Sequence, residues 1–270
     1  MPTISGLRRR GFTPASIRNF CERIGVAKRE NLIDFSLLEF FIREDLNKTA
    51  WRRMAVLDPL KMVITNFEEG KTELLESENN PEVEGGDGFR TLPFSRELWI
   101  ERDDFMEEPP KKFFRLGVGL MCRLKAAYIV RCDSFVKDEN GVVAEIHCTY
   151  FPESKSGNDT SGLKAKGTMH WISAANAQTA EIRLYDRLFT AEQPDAGDND
   201  FKDFINPESL VVIKNAYIEP DLSNAQSQLA QHPDRRYQFI RKGYFCLDKD
   251  ATPEHLIFNR TVTLKDGWAG

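Results

Sequence analysis

Apolar positions along the 270 residues follow two rhythms, and the change between them falls near residue 59. Thr13-Pro14 has the form of a helix start, a hydroxyl to cap free N–H groups followed by a ring at the first helical position. Ile17, Phe20, Cys21 and Ile24 then recur at helical spacing, and Gly25 offers a stop. Ser36-Leu37-Leu38-Glu39 reads as a capping box that opens a second helix, with Leu37, Phe40, Phe41 and Leu46 as its apolar stripe. The first fifty or so residues thus predict a small helical unit.

From Leu60 the period shortens to two, with Met62 and Ile64 on the same side, and short strands take over. Leu98–Glu101 reads as a strand. Ala127–Val136 and Val142–Tyr150 form the clearest hairpin, turned at Glu139-Asn140-Gly141, where Asn-Gly suits the positive φ of a type I′ turn. Asn79–Gly88, Glu153–Gly162 and Gln193–Asp203 are Gly-bearing loops, the last two read as mobile surface loops. Ser223–Asp234 is polar without a strand pattern and is expected to cover or flank the site next to Tyr237. Tyr237–Leu247 and Leu256–Leu264 are the final strands.

The stretch Lys166–Phe189 (KGTMHWISAANAQTAEIRLYDRLF) is ambiguous in its middle, because Ala174–Ala180 has helical propensity. Its flanks alternate like strands, with Ile182, Leu184 and Leu188 on one side and Glu181, Arg183 and Arg187 on the other. We read it as a strand, a tight crossing and a second strand. Helices followed by many short strands predict a mainly β body carrying an N-terminal helical appendage.

Composition narrows the function classes. Hydrophobic residues make up 41% and charged residues 29%, as in globular proteins that stay in water, and the expected compartment is cytoplasmic. No apolar run approaches the ~20 residues of a membrane span, and Arg8, Arg9 and Arg10 are not followed by the apolar core of a signal peptide. The five cysteines are scattered without CxxC spacing, which favours free thiols over a disulfide frame, and the four histidines show no metal-ligand spacing. The net charge is −5, yet residues 1–53 hold eleven basic against six acidic residues. Such a block fits phosphate contact or a solvated helical face equally well. A Gly-rich phosphate loop, a GxSxG elbow and an HExxH pair are all missing.

Four segments carry a family resemblance: Lys166–Phe189, the N-terminal MPTISGLRRRGFTPASIRNFCERIG, and the C-terminal YQFIRKGYFCLD and FNRTVTLKDGWA. All resemble, in the same order, the anticodon-binding region of glutaminyl-tRNA synthetases and of their archaeal and eukaryotic glutamyl relatives. The resemblance implies two small nested β-barrels behind a helical subdomain. It divides the chain into residues 1–51 (helical), 52–93 with 181–270 (proximal barrel) and 94–180 (distal barrel). It further implies the tRNA-binding portion of a glutamine–tRNA ligase, a monomer whose partner is tRNA-Gln. The HIGH-type and KMSKS-type signatures are missing from this sequence, so the expectation is a synthetase without its catalytic half. ATP and glutamine would then be needed only by a full-length enzyme.

Carried over residue by residue, Arg52, Gln238 and Arg241 resemble the set that holds the middle anticodon base. Gln donates and accepts at once, as a uracil edge requires, and Arg adds a planar fork. Outward-facing strand positions are the plainer reading of Gln238 and Arg241. Arg115 matches the reader of the third base, and Arg123 a residue at the first base and its phosphate. Lys125 stands where glutaminyl enzymes carry Arg and keeps the charge without the fork. Phe114 stands where Lys is common, and would stack on a base or fill the core. Lys111 and Lys112 are phosphate contacts or solvated lysines. Asn79 matches a residue near the anticodon loop. Arg8, Arg9 and Arg10 would touch the tRNA backbone, or form an intramolecular salt-bridged face. His170-Trp171 and Tyr185-Asp186, although hallmarks of the family, are expected to serve packing.

Two rivals remain at the level of sequence. One is the same module of a glutamyl enzyme. The other is a stand-alone barrel that binds ribosomal RNA or acts as a protein scaffold.

Overall fold

The computed structural model describes residues 3–29, 31–232 and 235–265. Met1, Pro2 and residues 266–270, which close the two terminal resemblance segments, lie outside them, as do 233 and 234. The helices α1 (Ile4–Arg10), α2 (Pro14–Ile24) and α3 (Phe35–Thr49) come first. There follow β1 (Trp51–Arg53), β2 (Ala55–Val56), β3 (Pro59–Ile64), β4 (Thr72–Glu78), β5 (Phe89–Ser95) and β6 (Glu97–Glu101). Next come β7 (Met121–Leu124), β8 (Ile129–Lys137), β9 (Val143–Phe151), β10 (Thr168–Met169), β11 (Ile172–Ser173) and β12 (Gln178–Tyr185). The chain continues through β13 (Leu210–Ile218), α4 (Ala225–Gln231), β14 (Tyr237–Phe239), β15 (Gly243–Leu247) and β16 (Leu256–Val262). The protein is mainly β, with its sheets barrel-like and its helical part in front.

Two compact units result. One comprises Met1–Trp51, Ala180–Asn215 and Ala225–Gly270, the other Arg52–Thr179 and Ala216–Asn224.

In the first unit Thr13 caps α2, its hydroxyl accepting the Ser16 N–H at 3.1 Å with Pro14 next in line. α3 is capped by Asp34, whose carboxylate accepts the Ser36 N–H at 2.6 Å. Ser36 therefore does not open the helix, because a stronger, charged acceptor stands two residues earlier. That start also fixes the buried stripe, which is Leu38, Ile42 and Leu46 rather than Leu37, Phe40 and Phe41. The i+4 row packs with Phe12, Ala50, Tyr244 and Val262, while Phe40 is left 49% exposed. The sheet of this unit runs β14–β15–β16–β12–β13. β12 lies parallel to β16, Ile182 opposite Phe258. α4 occupies the stretch read only as polar, and its Gln228 accepts the Tyr237 hydroxyl at 2.7 Å.

The second unit has a seven-stranded sheet in the order β10–β7–β8–β9–β3–β6–β11, plus the β4–β5 hairpin. β3 joins β6 and β9, so residues 52–93 lie in the same unit as 94–179. Leu60, Met62 and Ile64 are buried as their alternation requires. Phe94 centres the core, with ring centroids of Phe67, Tyr128 and Trp171 at 5.1–5.3 Å. Glu219 takes two hydrogen bonds from Arg90, at 2.6 and 3.1 Å, in a fully buried pair.

Two local expectations are corrected. The β8–β9 turn is not a two-residue type I′ turn: only Gly141 takes positive φ (78°). Asp138 organises it instead, its carboxylate accepting the N–H groups of Asn140 and Val142 at 2.9 Å each. The strand read as Glu181–Phe189 ends at Tyr185. Beyond it the Asp186 N–H donates to Ser209 and Leu188 is 47% exposed.

Candidate nucleic-acid interface

In the second unit one glycine sets the placement of several cations. Gly167 precedes β10, and its carbonyl accepts the Arg123 N–H at 3.0 Å. A Cβ there would come within 1.8 Å of the Phe114 carbonyl oxygen and 2.7 Å of Arg115 Nη1. The close approach thus admits no side chain, and it gathers residues 114–115, 123 and 166–168. The register places Thr168 opposite Arg123, and the Lys125 N–H donates to Met169 at 2.8 Å.

The side chains are then oriented by the protein's own acceptors. Arg115 donates from Nε to the buried Asp104 at 3.0 Å and from Nη1 to the Phe114 carbonyl at 2.9 Å. Arg123 donates to the Ser154 carbonyl at 2.8 Å and pairs with Asp159. The Ser161 hydroxyl and N–H, with Arg123, hold the Asp159 carboxyl below its ordinary range. Arg115 and Arg123 keep 28% and 24% side-chain exposure, so neither is sealed off. Their remaining N–H groups can meet an acceptor such as a base edge or a phosphate oxygen. Lys111, Lys112, Lys125, Lys164 and Lys166 are exposed.

Phe114 does not fill the core: it is 46% exposed, with the Lys166 ammonium 5.6 Å from its ring centroid. An exposed aromatic beside guanidinium and ammonium groups is the equipment of a single-stranded nucleic-acid surface. Sequence reasoning did not find Gly167, Lys166, Asp104 or Asp159. Of these, only the repeated basic spacing of Lys164 and Lys166 was a usable signal.

The other candidate residues are placed differently. Gln238 is half-buried on β14 opposite Tyr244, and Arg241 is exposed in the turn that leads to β15. There the Lys242 N–H donates to Phe239 at 2.8 Å, and Arg241 takes φ 70°. Turns normally reserve that conformation for Gly or Asn, so a strained Arg is held where its side chain faces solvent. Arg52 and Asn79 are both buried, and the Asn79 carbonyl accepts the Arg52 N–H at 2.6 Å. Asn79 also closes its loop, donating from Nδ2 to Asp87 at 3.0 Å.

In the first unit the Arg8–Arg10 block is largely spent on intramolecular pairs. Arg9 grips Asp248 with two hydrogen bonds of 2.9 Å and reaches Asp250, while Arg8 is exposed. Burial works to raise the Asp248 carboxyl, but bonds from Arg9, the Asp250 N–H and Asn259 outweigh it and bring the pKa to about 2. Arg10 lines a cavity of about 320 Å³ with Tyr185, Asp186, Arg187 and Arg260. Burial depresses its pKa and Glu39 opposes that effect. Of the motif residues assigned to packing, His170 is buried 3.4 Å from Glu101, and Trp171 donates to the Lys125 carbonyl at 2.9 Å.

Comparison with known proteins bears on what this surface is for. Two models described as "tRNA synthetases class I (E and Q), anti-codon binding domain" match residues 50–151 and 168–248. The chain belongs to this family. It is 54% identical to a glutamine–tRNA ligase of Vibrio parahaemolyticus, over 100% of the chain and 47% of that protein. A glutamine–tRNA ligase of Clostridium perfringens is 52% identical over 99% of the chain and 47% of its own length. That of Vibrio vulnificus is 54% identical over 100% of the chain and, again, 47% of the relative. The chain therefore spans about half the length of these relatives. The first anticodon-binding model covers Arg115, Arg123 and Lys125, and the second covers Gly167's neighbour Thr168 as well as Gln238 and Arg241. Among the described residues no cluster of three His, Cys, Asp or Glu could hold a metal, and no helix is long and apolar enough to cross a membrane.

Proposed function

We propose that the chain is the anticodon-binding portion of a glutamine–tRNA ligase and that it binds tRNA-Gln as a monomer in the cytoplasm. The observation that carries this reading is identity of 52–54% to three such ligases along essentially the whole chain. The geometry around Gly167 supports it. Arg115 and Arg123 are pre-oriented by Asp104 and Asp159 yet remain reachable, which lowers the entropic cost of gripping an unpaired base. Lys125, Lys111 and Lys112 supply the salt-sensitive phosphate attraction. Arg241, on its strained turn, and Gln238 supply a second readout set, and Arg52 and Asn79 act through the backbone bond that fixes their loop. Attachment of glutamine with ATP belongs to the part of the relatives that lies outside the matched half.

The test is a filter-binding titration with tRNA-Gln, tRNA-Glu and a tRNA-Gln carrying a foreign anticodon, at two salt concentrations. Tighter binding of tRNA-Gln than of both competitors, weakening steeply with salt, is the expected result. Equal affinity for all three would remove the anticodon reading, and preference for tRNA-Glu would transfer the chain to the glutamyl branch.

A further inference from the structure

Two of the buried cysteines stand directly opposite each other on neighbouring strands of the second unit. The β8–β9 register pairs Cys132 with Cys148. The backbone hydrogen bonds show which kind of pair this is. The Cys132 N–H donates to Leu120 at 3.1 Å and its carbonyl accepts from Gly119 at 2.7 Å, while the Cys148 carbonyl accepts from Thr65 at 2.8 Å. Both residues thus direct their backbone groups away from each other, to β7's side and to β3's side. Theirs is the non-hydrogen-bonded kind of antiparallel pair, in which Cα atoms approach to about 4.5 Å and side chains come closest. That separation lies at the short end of the roughly 4.4–6.8 Å that a disulfide spans.

The next residue adds slack. The register skips Asp133, so a bulge follows Cys132 immediately and Ser134 pairs with His147. Both thiols are fully buried. The remaining cysteines are committed elsewhere: Cys122 donates to Gly167 at 3.3 Å, Cys246 to Arg9 at 3.4 Å, and Cys21 is exposed.

We propose that Cys132 and Cys148 are a cross-strand dithiol that closes to a disulfide when a peroxide reaches the core. The Cys132 thiolate attacks one peroxide oxygen, giving a sulfenic acid and releasing water after protonation. The Cys148 sulfur then displaces the second water as the S–S bond forms, so two thiols and one hydrogen peroxide yield one disulfide and two waters. A hydrogen bond from Cys148 holds the Cys132 thiol below its ordinary value, whereas that pairing and burial push Cys148 well above it. Cys132 is therefore the sulfur that ionises first. Closure joins β8 to β9 across the sheet that carries Arg123 on the adjoining β7, and burial makes it slow compared with oxidation of Cys21.

The test uses the full chain, kept folded as judged by circular dichroism and treated with hydrogen peroxide for hours. The thiols are then counted under denaturing conditions in a Cys21→Ser background, and tryptic fragments are weighed. The expected result is loss of two thiols together, with the fragment beginning at Cys132 joined to the one containing Cys148 and two hydrogens lighter than their sum. Reducing agent restores both thiols, and Cys148→Ser abolishes the linked fragment and leaves Cys132 to oxidise alone, as a sulfenic acid or beyond. Survival of every thiol would overturn the proposal. So would separate sulfinic acids at 132 and 148 without a linked fragment. Because linkage is read in the unsubstituted pair, a folding defect of Cys148→Ser does not rescue a negative result.

Discussion

Arg8–Arg10 and the cations around Gly167 start from opposite settings in the sequence, and the fold partners them differently. The first group sits in a segment rich in basic residues, whereas the second lies in the acidic remainder of the chain. Yet Arg9 faces two carboxylates, Asp248 and Asp250, while Arg115 and Arg123 are each braced by one, and all three side chains keep part of their surface open. Charge density along a chain therefore says little about which cations a ligand can use. What decides is how much carboxylate charge the fold already sets against each cation: two partners for Arg9, one each for Arg115 and Arg123.

The largest expected effect separates these roles. Asp248→Asn should cost about 2 kcal/mol of stability, because it removes the buried carboxylate that accepts from Arg9 and Asn259 and leaves Arg9 only the exposed Asp250. Denaturant unfolding would show it, while tRNA affinity measured on folded protein stays unchanged. A large affinity loss with no stability loss would mean that Arg9 serves RNA after all.

Acid titration sharpens the same point. The folded-state pKa of Asp248, about 2, lies below the ordinary carboxylate value of 3.8. Protonation therefore favours unfolding, and the contribution of this carboxylate, on the order of 2 kcal/mol, is present above pH ~4 and lost as pH falls through ~2. Arg9→Ala should move the acid-unfolding midpoint upward. A midpoint unmoved by that change would show the pair to be energetically idle.

On the other side of the comparison, Arg123→Ala should weaken tRNA-Gln binding about tenfold, near 1.4 kcal/mol, with a much smaller change in thermal midpoint. Arg241→Gly is expected to lose several-fold in affinity while staying within about 1 kcal/mol of the parent in stability. Relief of the positive φ there offsets the greater freedom of Gly in the unfolded chain. The smallest effect is that of Lys125→Ala, about threefold, accompanied by a salt dependence shallower by roughly one ion contact. Isothermal titration across a salt series would read both quantities.

Much of this fold is legible in the sequence where the signal is local. The Thr13-Pro14 start, the alternation of Leu60, Met62 and Ile64, and the β8–β9 hairpin depend on residues close in the chain. Misreadings arose where two local devices compete, Asp34 against Ser36 as a cap and Asp138 against Asn140-Gly141 in a turn. A carboxylate outbid its neighbour in both. The surface around Gly167 was legible only in part. Arg115, Arg123 and Lys125 could be named from family resemblance, but the glycine that seats them and the acids that aim them are separated by 8 to 63 residues and meet only through sheet pairing. The exposure of Phe114 depends on the same packing.

The central claim, that unpaired anticodon nucleotides are held at this surface, is tested most directly with Gly167→Ala. A methyl group there collides with the Phe114 carbonyl and displaces Arg115, while every proposed RNA-contacting side chain keeps its own chemistry. The account predicts that the preference for tRNA-Gln over its foreign-anticodon counterpart collapses while the protein remains folded. Undiminished discrimination by the folded variant would contradict it.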